Sequence, residues 1–365
     1  MRILHIHPSM QGGGIESVIC SIASEMARQG HDVTVCSIYQ PKADDIFWYR
    51  LPEAVHRDTL GKGSTGFSLR EVFSVYNYIR RGHFDVVQLH GFFYYFFFAV
   101  LMLPRQKFFY TFHSDARREN FKWDVRFFPL KKLAFRLGLV RAITISPASQ
   151  QSFRELYGCQ SVLCENGIPQ PSVDEAPNPV DEACINSATR VFLHPGRITE
   201  AKNQLVLVRV FRRLIEQGND VALVIAGKEE DDAILQQLRP YFSDRIRYVG
   251  LRTDVPSLMA KADGMCLPSV WEGLPITLLE CLAVGCIPIC SPVGGIVNVV
   301  ADGRNGLLSA SSSEDDYYQT MLRFLALSDD EIAEMKQQCK DSFQQYDISN
   351  TVRKYLKAYD GEIND

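Results

Sequence analysis

The chain has no stretch apolar for long enough to cross a bilayer. Its longest such run, residues 92–103, stops after 12 residues at Pro104-Arg105, where a spanning helix needs about 20. A secretory leader is not expected either, because Met1-Arg2 runs straight into the strand-like Ile3-Leu4-His5-Ile6. The 10 cysteines show no CxxC pair and no Cys/His ligand spacing, which argues against a zinc site and for reduced core thiols of a cytoplasmic protein. No Asp-x-Asp stands at a strand end to hold a divalent cation; Asp231-Asp232 and Asp315-Asp316 are adjacent pairs in helix-start settings. Low-complexity tracts, short repeats and recognisable nucleic-acid modules are missing as well.

What is present reads as a globular protein too long for one ordinary core. Its 365 residues are 46 % hydrophobic and 22 % charged, so two domains are expected. The net charge of −4 hides an asymmetry: residues 1–170 hold 20 Lys and Arg against 14 Asp and Glu, and the remainder 19 against 29. Within 105–141 the count is 10 basic to 3 acidic, which points to an anionic partner on one side only. Short apolar runs alternate with helical patterns, the mark of parallel sheets with crossover helices. Strands are predicted over 2–6, 32–38, 85–89, 108–112 and 142–145. The Pro/Asp/Glu-rich segment 170–183 breaks the pattern as a linker. Alternation restarts with strands over 190–193, 221–226, 246–249, 264–267 and 287–290, and helices over 203–216 and 276–284. A last helix is predicted over 349–359.

Chemistry concentrates in 268–295, PSVWEGLPITLLECLAVGCIPICSPVGG. Glu272 closes a buried strand, Gly273-Leu274-Pro275 follows, and Glu280 lies eight residues on, a little over two helical turns. Carboxylates accept bonds from sugar hydroxyls, and free amides at a helix start donate to oxygens and phosphates. The apolar Trp271, Leu274, Leu278 and Leu279 make a poor surround for idle carboxylates. Arg197 and Lys202 sit between a strand and a helix, where a planar fork and a point charge suit two phosphates. Gly12-Gly13-Gly14 lets a backbone approach a ligand at the start of an amphipathic helix, or is a flexible strand-to-helix turn. Glu16, in that helix's first turn, contacts a ligand or complements the helix dipole. His113 follows a strand in TFHSD and points to a cleft, or caps its loop with Ser114 and Asp115. His90-Gly91 could line an acceptor side.

These segments, in this order, resemble the large family 4 of retaining glycosyltransferases. The resemblance rests on the Glu-x7-Glu segment, HPGRITEAKN (194–203), the glycine loop with its helix (12–35), ENGIP (165–169) and DGRNGLL (302–308). It implies a GT-B fold, two Rossmann-like parallel-sheet domains facing across a cleft. The implied boundaries are 1–169 plus 342–365 for the acceptor side and 170–341 for the nucleotide-sugar side. It implies a retaining hexosyltransferase that needs no metal or other cofactor, moving a sugar from a nucleotide diphosphate donor, with the EGLP form resembling users of UDP-sugars. Catalytic roles then fall to Glu272, His113, Arg197 and Lys202, and donor contacts to Gly13, Gly14, Arg197, Lys202, Glu272, Gly273, Leu274 and Glu280. Glu16 and His90 fall on the acceptor side. Three positions depart from the family pattern: Asn298, Pro169 and Asn203 stand where Glu, Asp and Gly are usual.

The expected partners are a nucleotide sugar and a saccharide or lipid-linked saccharide acceptor, in assembly of a surface glycan, with no nucleic acid. Residues 120–141 add an anionic membrane. At 100° per residue Leu130, Leu133, Ala134, Leu137 and Val140 share one face. Lys131, Lys132 and Arg136 take the other, with Phe135 and Leu139 among them. Phe121, Trp123, Phe127 and Phe128 alternate with Lys122 and Arg126 just upstream. Cations interleaved with aromatics suit anionic lipid, and the aromatic run 92–98 is a second candidate; a buried helix with snorkelling lysines is the competing reading. Lipid contact would place this cytoplasmic enzyme at the inner face of the plasma membrane. Two other functional readings stay open here, a catalytically silent partner of another transferase and a nucleotide-sugar epimerase.

Overall fold

The computed structural model describes all residues but 12, 44, 64–66, 120–122, 185, 187 and 363–365. Gly12, Phe121 and Lys122 therefore lie outside the described residues, as does the side chain of Trp123. Contacts divide the chain into two compact units, Met1–Pro169 with Asp347–Asp365, and Gln170–Tyr346.

The first unit is built on seven strands, β1 Arg2–His7, β2 Asp32–Tyr39, β3 Val55–Lys62, β4 Val86–His90, β5 Lys107–Phe112, β6 Arg141–Thr144 and β7 Val162–Leu163. Their order is β3-β2-β1-β4-β5-β6-β7, all pairs parallel. Chain direction across the sheet reverses between β1 and β4, and the crevice outside the carboxyl ends at such a point is where doubly wound sheets take ligands. Alternation gives the sheet two different faces. Leu4, Leu89, Tyr110 and Phe112 enter an aromatic core with Phe135 and Phe153. The opposite face carries His5, Gln88, Phe109 and Thr111 and is covered by the helix Ile348–Asp360. There Tyr359 donates its hydroxyl to Gln88 Oε1 at 3.0 Å, Gln88 Nε2 donates to Thr111 Oγ1 at 2.9 Å, and the Tyr355 hydroxyl meets Thr111 Oγ1 at 3.2 Å.

The second unit repeats the plan with β8 Arg190–Pro195, β9 Val221–Ala226, β10 Ile246–Tyr248, β11 Gly264–Leu267, β12 Ile287–Cys290 and β13 Leu307–Leu308. The order β10-β9-β8-β11-β12-β13 is again parallel and reverses between β8 and β11. Phe192, Phe211, Ile225 and Phe324 lie in its core.

Several expectations are corrected. β3 and the two-residue β7 and β13 are absent from the sequence reading; VHRDTLGK in β3 is a polar edge strand whose middle faces water and shows no apolar run. The linker 170–183 ends in a short helix, Pro179–Ala183, capped by Asn178 and anchored by buried Val180 and Ala183. Return to the first unit comes at Asp347, five residues beyond the expected 342, because the preceding helix runs on to Phe343. The largest correction concerns the helix Trp123–Arg136. Two of its lysines turn inward, as the competing reading of a buried helix has it, while Arg126 and Arg136 stay exposed: Lys131 is fully buried, with Nζ 4.4 Å from the Tyr110 ring centre and 5.1 Å from that of Phe112. Lys132 Nζ donates to Leu156 O at 2.7 Å and Arg136 Nε to Tyr157 O at 2.9 Å. Aromatic quadrupoles stabilise the Lys131 charge out of water, and carbonyl oxygens hold the ends of Lys132 and Arg136. Leu133 and Leu137 are exposed instead, at 51 % and 64 %. The run 92–98 is mostly core, with Phe93, Tyr94, Tyr95 and Phe96 buried. Among the described residues no helix is long and apolar enough to cross a membrane.

Replacing Tyr359 by Phe leaves Gln88 Oε1 without its buried donor, so the chain should lose about 1–3 kcal/mol in a chemical-denaturation measurement. An unchanged midpoint would show that the last helix is not anchored through this bond.

Candidate active site

The second unit's switch point gathers its charges by folding a loop onto a strand end. After β8 the loop 196–203 carries Arg197 and Lys202. Ile198 N donates to Lys228 O at 2.9 Å, Val270 N to Ala201 O at 2.8 Å, and Gln204 Nε2 to Arg197 O at 2.8 Å. Asn203 adopts φ +55°, a left-handed conformation that Asn tolerates better than most side chains. Its amide donates to Pro268 O and Ser312 O. Where the family commonly has glycine, this chain keeps the backbone turn and adds two bonds.

So held, Lys202 reaches Glu272. Nζ lies 2.6 Å from Oε1, and Ser269 Oγ donates to the same oxygen at 2.7 Å. Both members are largely withdrawn from water, with side chains 15 % and 11 % exposed, which strengthens their attraction over that of a surface pair. The Glu272-Gly273 backbone is fixed by the glycine pair 294-295. A Cβ on Gly294, itself at φ +55°, would stand 1.8 Å from Glu272 O, and Gly295 N donates to Gly273 O at 2.6 Å. Leu274 and Pro275 are buried and lead into the helix Ile276–Val284, whose start has no side-chain cap. Its first amides are therefore available to an anion or a sugar oxygen. Glu280 lies partly exposed on the second turn of that helix. Arg197 is half exposed, and its Nη1 donates to both Glu230 oxygens at 3.0 Å. Beneath the loop, His194 Nδ1 donates to Cys266 O at 2.8 Å. Burial holds the His194 imidazole at about 4, helped by the nearby Lys202 charge and opposed by the Cys266 bond.

At the first unit's switch point the groups are imidazoles. His90 closes β4, and its Nδ1 lies 2.9 Å from Nε2 of His113, which directly follows β5. His113 does not cap its own loop: Asp115 accepts from Arg117 N and Glu119 from Ser114 N. The Glu16 carboxylate folds back over Gly13, where a Cβ would stand 2.6 Å from Oε2, and its charge favours protonation of His7 against the dominant effect of burial. Gly14 opens the helix Gly14–Arg28 in an exposed position.

The structure thus brings Lys202 to Glu272, His90 to His113, and Glu16 to Gly13. Ser269, Glu230 and the bonding of His5 and His7 are absent from the sequence reading. Ser269 stands three residues before Glu272 with no motif to mark it, and Glu230 is one of several acids in 229–232. Among the described residues no group of three or more His, Cys, Asp or Glu side chains is placed to hold a metal ion.

Comparison with known proteins identifies the family. Residues 12–170 match the family described as Glycosyltransferase Family 4, and residues 189–327 the one described as Glycosyl transferases group 1. A phosphatidyl-myo-inositol mannosyltransferase of Mycolicibacterium smegmatis is 23 % identical over a 367-residue alignment spanning 95 % of this chain and 90 % of that protein. An Escherichia coli galactosyltransferase named for UDP-Gal and a GlcNAc-diphosphoundecaprenol acceptor is 28 % identical over 160 residues, 41 % of this chain and 40 % of that one. In fold, Anabaena HepE solved with UDP-glucose superposes with a TM-score of 0.79 at 18 % identity, covering 99 % of this chain and 100 % of that one. A matched family on each unit and the paired parallel sheets define the class: the chain is a GT-B glycosyltransferase and belongs with family 4.

Alanine at Gly294 should displace the Glu272 backbone and cost at least about 2 kcal/mol through overpacking and left-handed strain, read as a lowered denaturation midpoint. A variant as stable as the parent would mean that the 294-295 contact does not fix the Glu272 loop.

Proposed function

We propose that this glycosyltransferase moves a sugar from a UDP-sugar, with retention of configuration and without a metal ion, to a saccharide or lipid-linked saccharide acceptor. The observation that carries the reading is the Lys202–Glu272–Ser269 constellation beside Arg197 at a topological switch point. Cleaving a nucleotide sugar gathers negative charge on the leaving diphosphate, and fixed cations there lower the barrier directly. Arg197 and Lys202 fill the role a divalent ion would otherwise take. The Arg197 fork, now on the Glu230 carboxylate, turns to a phosphate of the same charge and similar geometry. Glu272 accepts from hydroxyls of the transferred sugar, the Gly273 and Leu274 amides donate to its oxygens, and Glu280 holds the ribose. The glycine loop at Gly13-Gly14 and His113 contact the donor from the first unit, whose Glu16 serves the acceptor; His90, fully buried with both ring nitrogens bonded to other histidines, His5 and His113, sits behind His113 and does not line the acceptor side as expected. With retention, an oxygen of the departing diphosphate takes the proton of the acceptor hydroxyl as that hydroxyl attacks the same face of the sugar.

The UDP preference draws support from the UDP and UDP-glucose complexes of HepE and from the UDP-Gal named for the Escherichia coli relative. Lipid-linked acceptors are named for that relative and for a Campylobacter jejuni transferase acting on a diphospho-undecaprenol saccharide. A place at the membrane is supported by the exposed apolar edge of the first unit. Leu101, Met102, Val125, Leu133 and Leu137 are exposed there, and a shallow apolar depression lined by Phe97, Leu101, Leu130, Leu133 and Leu137 lies between the helices Phe97–Met102 and Trp123–Arg136. Arg105, Arg126 and Arg136 are exposed on the same segments. On this reading leucines enter the lipid and arginines meet its headgroups.

Transfer from UDP-sugars should persist in excess chelator, and Lys202→Met should lower kcat/KM by roughly 100-fold or more, as loss of a charge-stabilising donor does. Activity abolished by chelator, or use of GDP-sugars alone, would overturn the donor and metal assignments.

The chain should also float with vesicles containing phosphatidylglycerol at low salt, and Leu133→Ser with Leu137→Ser should reduce the floating fraction several-fold. A parent protein that stays at the bottom of the gradient would discard the membrane contact.

A further inference from the structure

The two cations proposed to face the diphosphate are each held by a carboxylate, and the two pairs differ in kind. Lys202 and Glu272 are largely withdrawn from water, whereas Arg197 and Glu230 have side chains 52 % and 34 % exposed. Only Arg197 Nη1 is engaged, donating to both Glu230 oxygens at 3.0 Å. Its Nε and Nη2 have no hydrogen-bond partner among the described residues, and the Glu230 carboxylate accepts from no other group among them.

The pair is not needed to build the loops that carry it. The loops after β8 and β9 continue the sheet's ladder beyond the strand ends: Gly196 N donates to Ala226 O and Ile198 N to Lys228 O, both at 2.9 Å. Gly227 lies so close that a Cβ on it would stand 1.8 Å from Gly196 O. On its other side Gly227 N donates to Gly250 O at 2.8 Å, and the Tyr248 hydroxyl donates to Gly227 O at 2.8 Å. The helix Asp232–Leu238 begins without Glu230 as well, because Asp231 accepts from Ala233 N and Ile234 N. Backbone pairing therefore sets Glu230 beside Arg197 with no other bond to make. An exposed pair of this kind contributes little to stability and opens readily. A phosphate can meet the free Nε–Nη2 edge of the guanidinium without first breaking the pair, but it then shares one cation with a carboxylate, and the two anions repel each other. To use the whole fork it must displace Glu230.

We infer that Glu230 sets the affinity for a nucleotide diphosphate through Arg197: it is an internal counter-anion that competes with the ligand's diphosphate and so eases release of the nucleotide product. The inference rests on the proposed role of Arg197 in holding a diphosphate, and is indifferent to the base and sugar of the donor.

Calorimetric titration of the full-length protein with UDP, inorganic pyrophosphate and uridine, with no acceptor present, tests it. Glu230→Gln keeps the side chain's size and one acceptor oxygen while removing the charge, at an exposed position the fold does not depend on. It should tighten binding of UDP and pyrophosphate about fivefold at low salt and leave any binding of uridine unchanged. The gain should fall below about twofold in about 0.5 M salt, and UDP should inhibit transfer by the variant about five times more strongly. A variant that binds UDP and pyrophosphate no more tightly than the parent overturns the inference and makes Glu230 a support that holds Arg197 for its ligand. A gain that extends equally to uridine, or that persists undiminished in high salt, also overturns it, since neither is competition for charge. A parent that binds neither UDP nor pyrophosphate removes the diphosphate site and the inference with it. A parent that binds them, with the expected gain in the variant, but moves no sugar tells against the proposed transfer and leaves the counter-anion standing.

Discussion

The 2.6 Å contact between the Lys202 ammonium and the Glu272 carboxylate is the interaction around which the second unit's loops are arranged. It joins residues 70 apart in sequence, one after β8 and one after β11, across the line where the sheet changes direction. Charges this far withdrawn from water are stable only as a hydrogen-bonded pair. The surrounding order follows from that need: Asn203 and Gln204 hold the lysine's loop, Ser269 shares the carboxylate oxygen, and the glycines at 294-295 press on the glutamate's backbone. The charges of this site are placed in the ligand-free chain, which spares the cost of ordering them on binding.

The two units solve the same topological problem with opposite chemistry. Both open a crevice where strand order reverses. The second fills it with full charges, and the first with imidazoles that burial keeps neutral. A charged site suits a diphosphate, and an uncharged polar one suits hydroxyl groups. The asymmetry in net charge along the chain is a separate matter, because part of the first unit's basic excess is spent inward, on the aromatic rings around Lys131.

How much of this could be read from sequence varied with the physics of each element. The strands flanking both switch points were legible, because strands buried on both faces read as unbroken apolar runs. The helix Ile276–Val284 was legible to the residue, with Pro275 before it and Gly285, in the left-handed region, after it. β3 was not, since an edge strand facing water carries no such run. The helix of 123–136 was left with two readings: periodicity separates lysines from leucines but cannot say which side is buried, and the rings that receive Lys131 come from β5, some twenty residues earlier. Among the candidate site residues, Arg197, Lys202 and Glu272 were named through residue type and resemblance. Ser269 and Glu230 were not, being ordinary polar residues that only the tertiary fold brings to those groups, and the His5–His90–His113 series needs strand register, which no local pattern states.

The first unit is made of two separated pieces of chain, and the polar part of its sheet face, at Gln88 and Thr111, is covered by the helix Ile348–Asp360. During synthesis, Gln88 and Thr111 must wait while the whole of the second unit is made before Tyr355 and Tyr359 arrive to pair with them. The nascent amino-terminal half therefore carries an unfinished, wettable flank for most of translation, and the second unit, continuous in sequence, is free to mature before the first.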